Sequence, residues 1–236
     1  PDVTFAFGMH LWNALPVGTV GLYAGALMAQ SDRFTVTVHG KGAHAATPQH
    51  GADPIVAAAQ IITALQTIVS RETDPLHSRV VTVGTVNGGS AFNIIPETVT
   101  MTGTLRAFSR EEAENGAVSV GRIVEHCSAA LGVEGILEYE PGYPVLFNRP
   151  ESVALVRPAI ERAAGAGHVV APQPWMGGED FACYLERVPG VFILVGSRNE
   201  SRGIVSPHHS PFFTFDEDAL GLAVRVFAAV VQGYLG

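Results

Sequence analysis

Basic residues are scarce in this sequence. Lysine and arginine together number 14 in 236 residues, against 22 acidic residues, and the formal net charge is −8. No segment concentrates lysine and arginine. Proteins that bind nucleic acid neutralise its phosphates with clustered basic side chains. The composition therefore argues against nucleic acid as the main partner.

Cysteines and long apolar runs are also few. Cys127 and Cys183 are too few for a disulfide framework, and both lie in apolar segments where we expect buried thiols. We find no apolar run of the roughly 18 to 20 residues that cross a bilayer. Nothing resembles a signal peptide. We therefore expect a cytoplasmic protein with no membrane partner.

Apolar residues make up 47% of the chain, which is typical of a globular protein with an ample core. Residues 33–141 show the order strand, helix, strand, strand, helix, strand. This βαββαβ order predicts a ferredoxin-like domain. Residues 1–32 and 142–236 have α/β character, and the apolar run Val191–Val195 predicts a strand buried on both faces. We therefore predict an α/β domain, 1–32 and 142–236, interrupted by an inserted domain, 33–141.

The segment Val38–Pro54 joins the first strand and the first helix of the inserted domain. Asp53 followed by Pro54 predicts a helix N-cap with proline at the first helical position. The segment holds three glycines, three histidines and one lysine. Because a long connection on a rigid frame is a common place for functional side chains, we consider it a candidate site. The alternative is a surface loop with incidental histidines.

Two other positions carry histidines of interest. His10 follows an apolar segment, and we place it at the C-terminal end of a strand, where α/β proteins bind ligands. His208 and His209 are adjacent in a loop and should point in different directions, so a single metal ion would take one of them. Structural or merely exposed histidines are the alternatives at both places.

The Val38–Pro54 segment resembles the aminoacylase–carboxypeptidase G family of metallopeptidases, and most of all the branch that hydrolyses hippurate and indoleacetyl amino acids. The inserted domain of that family carries the pattern HGxxxHAAxPxxGxDP. The matching residues are His39-Gly40, His44-Ala45-Ala46, Pro48, Gly51 and Asp53-Pro54. The resemblance implies that His44 helps to bind the oxyanion of the tetrahedral intermediate, usually in the partner subunit of a homodimer formed by the inserted domain.

Further matches imply other site residues. Gly8-Met9-His10 and His209-Ser210-Pro211 resemble the family's segments for two metal-binding histidines, so the resemblance implies His10 and His209 as ligands and leaves the role of His208 open. Asn93 and Arg106 match positions near the substrate, and an arginine can grip a carboxylate through two hydrogen bonds. A turn asparagine and a surface arginine are the alternatives.

Gly178 and Glu179 match a further family segment, which lies beside the metal and the substrate. The resemblance therefore implies that both residues line the substrate site. A pair of acidic residues at a helix N-terminus explains Glu179 and Asp180 equally well.

Two parts of the family's site are missing from this sequence: a Cys-Gly-His-Asp-x-His segment and a catalytic Glu-Glu pair. The single Glu-Glu here, Glu111-Glu112, opens a predicted helix of the inserted domain. The resemblance implies two divalent metal ions, zinc or manganese, in an intact enzyme. We expect this chain to lack the N-terminal third of such an enzyme and to hold an incomplete, inactive site.

The fold implied by the resemblance is a partial, zinc-peptidase-like α/β catalytic domain with an inserted ferredoxin-like dimerisation or lid domain. The implied function is metal-dependent hydrolysis of the amide bond of a small N-acyl amino acid or peptide. A dipeptidase or carboxypeptidase of the same family is one alternative. A non-catalytic dimerisation and ligand-binding module is another, and the missing ligands favour it.

Overall fold

The computed structural model describes residues 2–236; Pro1, which the first predicted domain includes, lies outside the described residues. The strands are β1 (Ala6–Pro16), β2 (Val20–Gly21), β3 (Gly25–Met28), β4 (Gln30–His39), β5 (Ala43–His44), β6 (Arg79–Gly88), β7 (Ile94–Ile95), β8 (Thr98–Ala107), β9 (Glu134–Tyr143), β10 (Leu146–Asn148), β11 (Val169–Val170) and β12 (Gly190–Arg198). The α-helices are α1 (Pro54–Thr67), α2 (Arg110–Ala130), α3 (Pro150–Ala164), α4 (Ala182–Leu185) and α5 (Asp218–Leu235).

The chain divides into two compact units. Unit 1 comprises the described chain up to Met28, Leu146–Trp175 and Glu179–Gly236, and unit 2 comprises Ala29–Val145 and Met176–Gly178. The structural boundaries lie a few residues from the predicted junctions at 32/33 and 141/142. As the domain division of a complete enzyme, the predicted boundaries stay a prediction.

Unit 2 has the ferredoxin-like arrangement that the sequence predicts. Its antiparallel sheet has the order β6-β8-β4-β9, and α1 and α2 pack against one face of it. Alternation along β4 explains the packing, because Phe34, Val36 and Val38 are fully buried and the residues between them are not. The predicted fold class is confirmed.

The start of α1 follows from its first residues. The Asp53 carboxylate accepts hydrogen bonds from the backbone N–H groups of Ile55, at 2.8 Å, and Val56, at 3.3 Å, and Pro54 is the first helical residue. The carboxylate thus satisfies donors that have no partner within the helix. The predicted N-cap is confirmed.

The main sheet of unit 1 has the order β1-β12-β2-β11, with β12 parallel to β1 and antiparallel to β2. Alternate residues of β12 enter different cores. Val191, Ile193 and Val195 pack in the cluster that includes α3 and α5. Phe192 and Leu194 pack in a second cluster with α4 and β10. The continuous apolar run therefore belongs to a strand buried on both faces, as predicted.

The placement of His10 at the end of a strand is wrong. β1 continues to Pro16, and His10 lies in its interior, paired with Leu194 of β12. The extension arises because pairing with β12 continues through Trp12, which is opposite Gly196.

Two other expectations also need correction. Cys183 is exposed and Cys127 is half-buried, so neither is a fully buried thiol. The segments Pro54–Glu72 and Asp218–Leu235 are long and apolar enough to meet a membrane-span criterion, with mean hydropathies of 1.2 and 1.4. Both helices also pack one face into a core, as helices that cover a sheet do, so this criterion is weak support for a membrane span.

Candidate metal and substrate site

The surroundings of His10 explain the Gly-x-His spacing. Gly8, His10 and Trp12 lie on one face of β1, since side chains alternate along a strand. A Cβ atom at Gly8 would lie 2.8 Å from ring atoms of both Phe181 and Phe192. Only glycine fits under these two rings, so the residue two positions before His10 is set by packing.

The hydrogen bond of His10 defines its tautomer. Its Nδ1 lies 2.6 Å from the carbonyl oxygen of Leu11. Because a carbonyl oxygen only accepts hydrogen bonds, Nδ1 must carry a proton. The neutral ring then has a free lone pair on Nε2. This is the form in which imidazole binds a metal while its other nitrogen is held by a carbonyl.

His208 makes a different set of contacts. The backbone N–H of Asn13 donates to its Nε2 at 3.1 Å. The ring stacks on Trp12, with centroids 4.9 Å apart, and packs against Phe213 at 4.8 Å. Burial lowers the pKa of His208, and the nearby His10 and His209 lower it further. His208 is therefore a packed, neutral imidazole whose Nε2 is already used.

His209 is distinguished by its backbone. Its φ is 66°, and it is the single non-glycine residue with positive φ in residues 2–236. The left-handed region is uncommon for residues with a side chain, although histidine is enriched there. The side chain is exposed, in contrast to that of its neighbour His208. The two adjacent histidines therefore have different environments.

Asn13 is a buried polar residue that sequence reasoning missed. Its Nδ2 donates to the carbonyl oxygens of Ser206, at 3.0 Å, and Thr214, at 2.7 Å, and its Oδ1 accepts from the Ser197 hydroxyl. It is only 4% exposed. A signal was available, because an asparagine within an apolar strand is unfavourable unless it has partners.

Asp216 stabilises the C-terminal end of the loop that carries His208 and His209. Its carboxylate accepts from the Asn199 amide, from the Arg202 guanidinium at 3.1 Å and from the backbone N–H of Asp218 at 3.0 Å. The Asn199 bond is the largest cause of the lowered pKa of Asp216. The Asp216 carboxylate thus binds the first N–H of α5, although Glu217 is the residue at the N-cap position.

Glu179 also lies in unit 1. Its carboxylate accepts from the backbone N–H of Phe181 at 3.3 Å. Burial raises the pKa of Glu179 and the adjacent Asp180 adds to the rise, whereas His10 opposes it. Glu179 is therefore a partly buried carboxylate within electrostatic reach of His10.

Gly178 belongs to unit 2. A Cβ atom there would lie 2.7 Å from the Cβ of Ser31, closer than real Cβ contacts allow. The close approach of Ser31 in β4 is therefore sufficient to explain why residue 178 is a glycine.

His44 and Asn93 are brought together by a short antiparallel strand pairing in unit 2. β5 pairs with β7, with His44 opposite Ile94, and the Ala45 N–H donates to the Asn93 carbonyl at 3.0 Å. The Nδ1 of His44 accepts from the Ala46 N–H at 3.0 Å. A neutral ring with an accepting Nδ1 carries its proton on Nε2. His44 therefore presents an exposed N–H donor.

The guanidinium of Arg106, on β8, makes two hydrogen bonds within the protein. Its Nε donates to the Thr104 hydroxyl at 2.8 Å, and its Nη1 donates to the Met176 carbonyl at 3.3 Å. Burial lowers its pKa and the Asp32 charge opposes that shift. Arginine stays protonated under these conditions, so the site keeps a fixed positive charge.

The candidate residues fall into two groups. Unit 1 holds His10, His209 and Glu179, and unit 2 holds His44, Asn93, Arg106 and Gly178. Across the described part of the chain, no group of three or more His, Cys, Asp or Glu side chains is placed to hold a metal ion. The free Nε2 of His10 nevertheless suits a divalent ion in its donor chemistry.

Comparison with known proteins gives three consistent findings. Residues 30–133 match the family of peptidase dimerisation domains. An N-acetyl-L-cysteine deacetylase of Bacillus subtilis is 44% identical over 213 residues, which are 90% of this chain and 50% of that protein. The IAA-amino acid hydrolase ILR1-like 4 of Arabidopsis thaliana is 38% identical over 240 residues, covering 99% of this chain and 54% of that protein.

A solved structure agrees with these matches. A dinuclear metal-binding peptidase from Bacillus subtilis, assigned to the M20 family, superposes with a TM-score of 0.76 at 34% identity. The alignment covers 98% of this chain and 58% of that one. The chain spans about half the length of the curated relatives it matches.

Proposed function

Because this chain belongs to the M20 family of metal-dependent peptidases and amidohydrolases, we propose that it is the C-terminal part of a hydrolase that cleaves the amide bond of N-acyl amino acids. N-Acetyl-L-cysteine and indoleacetyl amino acids, named for two relatives, share that bond. The substrate class is therefore a small molecule with an acyl group on the amino nitrogen.

The observation that carries the proposal is the tautomer of His44. Hydrolysis of an amide passes through a tetrahedral intermediate with a negatively charged oxygen, and N–H donors fixed toward that oxygen stabilise it. The Ala46 N–H occupies Nδ1 of His44 and leaves Nε2–H exposed as a donor. His44 thus suits oxyanion binding and does not need to be a metal ligand.

The other candidate residues have complementary roles in this proposal. His10 and His209 would be ligands of divalent metal ions, zinc or manganese, and these ions would polarise the scissile carbonyl of the substrate. The Arg106 guanidinium would bind the substrate carboxylate. Asn93, Gly178 and Glu179 would be further substrate-binding residues. The proton of the attacking water would go to a glutamate that this sequence does not contain. The chain alone would then be inactive.

We also propose that unit 2 forms a homodimer. It contains the whole segment that matches the dimerisation-domain family, and β6 and β9 are the edges of its sheet. An unpaired strand edge is a ready partner for a second copy. Cytoplasmic location stays a prediction.

Two rival functions have specific support. The structural relative is named a peptidase, which favours cleavage of a peptide bond instead of an acyl–amino acid bond. A non-catalytic binding module is favoured by the lack of a three-ligand cluster in residues 2–236. Comparing turnover of N-acetyl-L-cysteine, N-benzoylglycine and dipeptides separates these readings.

The decisive experiment compares His44→Ala with His50→Ala in the longest natural form of the protein. His50 lies in the same segment and is also exposed, so it is a matched control. His44→Ala should lower kcat by about 10²–10³-fold and keep its metal content, whereas His50→Ala should resemble wild type. The 236-residue chain should give no turnover. Loss of metal in His44→Ala, or unchanged turnover, would refute the assigned role.

A further inference from the structure

The loop between β12 and α5, residues 199–217, carries His208 and His209 and is named here the histidine loop. Apart from the short turn Glu200–Arg202 it contains no helix or strand. Its conformation therefore depends on side-chain contacts, some within the loop, as at Asp216, and others with the rest of unit 1. A histidine with positive φ persists only where its surroundings determine the backbone.

Asn13 supplies contacts on both sides of His209. The amide Nδ2 donates hydrogen bonds to the carbonyl of Ser206, which precedes the histidine pair, and to the carbonyl of Thr214, which follows it. The backbone N–H of the same residue holds the ring of His208. The amide Oδ1 accepts from Ser197, at the end of β12. One residue thus joins the histidine loop to two strands.

Through its position in the chain, Asn13 also links the two candidate metal ligands. It lies on β1 three residues after His10, so the strand that carries one candidate ligand also fixes the loop that carries the other. Stacking of the His208 ring on Trp12 adds a second contact between strand and loop. Both attachments are within unit 1.

We propose that Asn13 and His208 are positioning residues, which hold the histidine loop so that His209 keeps a fixed place relative to His10. The proposal rests on the proposed function in one respect, the role of His10 and His209 as metal ligands. In this proposal His208, the neighbour of the candidate ligand His209, does not bind the metal ion, because its Nε2 accepts a hydrogen bond from the Asn13 N–H. Residues that orient ligands in this way typically change metal affinity 10- to 100-fold when they are removed.

Asn148 provides a matched control for Asn13. It is also a buried asparagine of unit 1, and its Nδ2 donates to the carbonyls of Tyr23, at 3.0 Å, and Phe192, at 2.8 Å. Its Oδ1 accepts from the Phe192 N–H at 2.8 Å. Asn148→Ala therefore removes a similar set of hydrogen bonds but leaves the histidine loop untouched.

The first measurement is hydrogen exchange of backbone amides in the folded 236-residue chain without metal. Asn13→Ala should raise exchange in residues 204–214 by roughly 10- to 100-fold, since two carbonyls lose their donor. Asn148→Ala should not raise it there. Nitrogen NMR of the imidazoles should show His208 protonated on Nδ1 in wild type and should lose that preference in Asn13→Ala. Equal exchange in the two variants would overturn the proposal.

The second measurement is Zn²⁺ titration followed by the imidazole signals of His10 and His209. The dissociation constant should rise about 10- to 100-fold in Asn13→Ala and remain unchanged in Asn148→Ala. If wild type binds no Zn²⁺ through these two histidines, the metal assignment fails, whereas the exchange result still decides the positioning role. Unchanged Zn²⁺ affinity in a loosened Asn13→Ala loop would overturn the link between positioning and metal binding.

A pair of variants at His208 keeps the test open if Asn13→Ala does not fold. His208→Gln retains an acceptor near the place of Nε2, and His208→Leu retains only the bulk. The glutamine variant should keep the exchange pattern and Zn²⁺ affinity closer to wild type than the leucine variant. If the two variants behave alike, the Asn13–His208 hydrogen bond has no positioning role.

Discussion

Replacing His209 by glycine should leave the protein more stable than replacing it by alanine. Both substitutions remove the imidazole, so they differ only in what they demand of the backbone. At φ 66° an alanine keeps the steric cost of a Cβ atom in the left-handed region, and a glycine does not. The comparison therefore isolates the strain stored under the candidate metal ligand.

The magnitude follows from two opposing contributions. A residue with a Cβ atom in the left-handed region costs roughly 1–2 kcal/mol. A glycine lowers the free energy of unfolding by roughly 0.5–1 kcal/mol relative to an alanine, because the unfolded chain is more flexible at a glycine. The glycine variant should therefore be more stable by roughly 0–1.5 kcal/mol, with a central value of about 0.75 kcal/mol. At His10, inside β1, the strain is absent and the order should invert, with glycine less stable by roughly 0.5–1 kcal/mol.

Urea denaturation followed by tryptophan emission is a suitable assay. The sequence has two tryptophans, Trp12 and Trp175, and both lie in unit 1 with His10 and His209. The signal therefore reports the unfolding of that unit, even if unit 2 unfolds separately. A chelator should be present, because metal bound to the native state would add stability of its own. A difference of 1 kcal/mol moves the midpoint by about 0.5 M urea.

The inverted order at the two positions is the critical result. If alanine at 209 proves more stable than glycine by roughly 0.5–1 kcal/mol, as expected at His10, the left-handed backbone carries no cost and the stored strain is disproved. If glycine is also the better residue at 10, the effect is general and does not report the backbone of His209.

Two further predictions concern unit 2. Burial and the hydrogen bond to Asp32 raise the pKa of Tyr139, so its stabilising contribution is present below the unfolded pKa of about 10 and is lost as pH rises above it. Tyr139→Phe should cost roughly 1.5–3 kcal/mol at pH 8, and the gap should narrow at pH 10.5 in urea unfolding followed by circular dichroism; a constant gap would contradict the assignment. A Cβ atom at Gly103 would overlap the Phe34 ring and lie 2.5 Å from the Thr82 carbonyl, whereas one at Gly121 of α2 would lie 3.6 Å from Leu137. Gly103→Ala should lose about 1–3 kcal/mol and Gly121→Ala should gain up to about 1 kcal/mol, and the reverse order in thermal melts would show that the packing is not as described.

The features that the sequence predicts correctly depend on near neighbours. The N-cap at Asp53 involves residues two and three positions away, and the burial of β4 follows from simple alternation. The extent of β1 does not depend on near neighbours. The strand continues past His10 because β12, far along the chain, provides a partner there. Strand ends of this kind are set by tertiary pairing and not by local propensity.

The candidate site divides in the same way. Ordered motifs single out His10, His44 and His209, whose roles stay predictions. The tautomers of His10 and His44 follow from hydrogen bonds with backbone groups one or two residues away, and only the folded structure shows those hydrogen bonds. The link between Asn13 and His208 spans 195 residues, and no local pattern predicts which polar residue of an apolar strand will meet which loop.

The pairing at the base of unit 2 also bears on the order in which the chain folds. Ser31 of β4 lies opposite Tyr143 of β9, so the two ends of the unit are side by side once its sheet has formed. In unit 1, β3 pairs with β10 across this insertion, with Met28 opposite Leu146. Before the insertion folds, that pairing closes a disordered loop of roughly a hundred residues; afterwards it closes one of about five, which lowers the entropic cost by about 3 kcal/mol. If the inserted sheet forms first, it therefore brings the polypeptide segments that flank it together at a lower entropic cost.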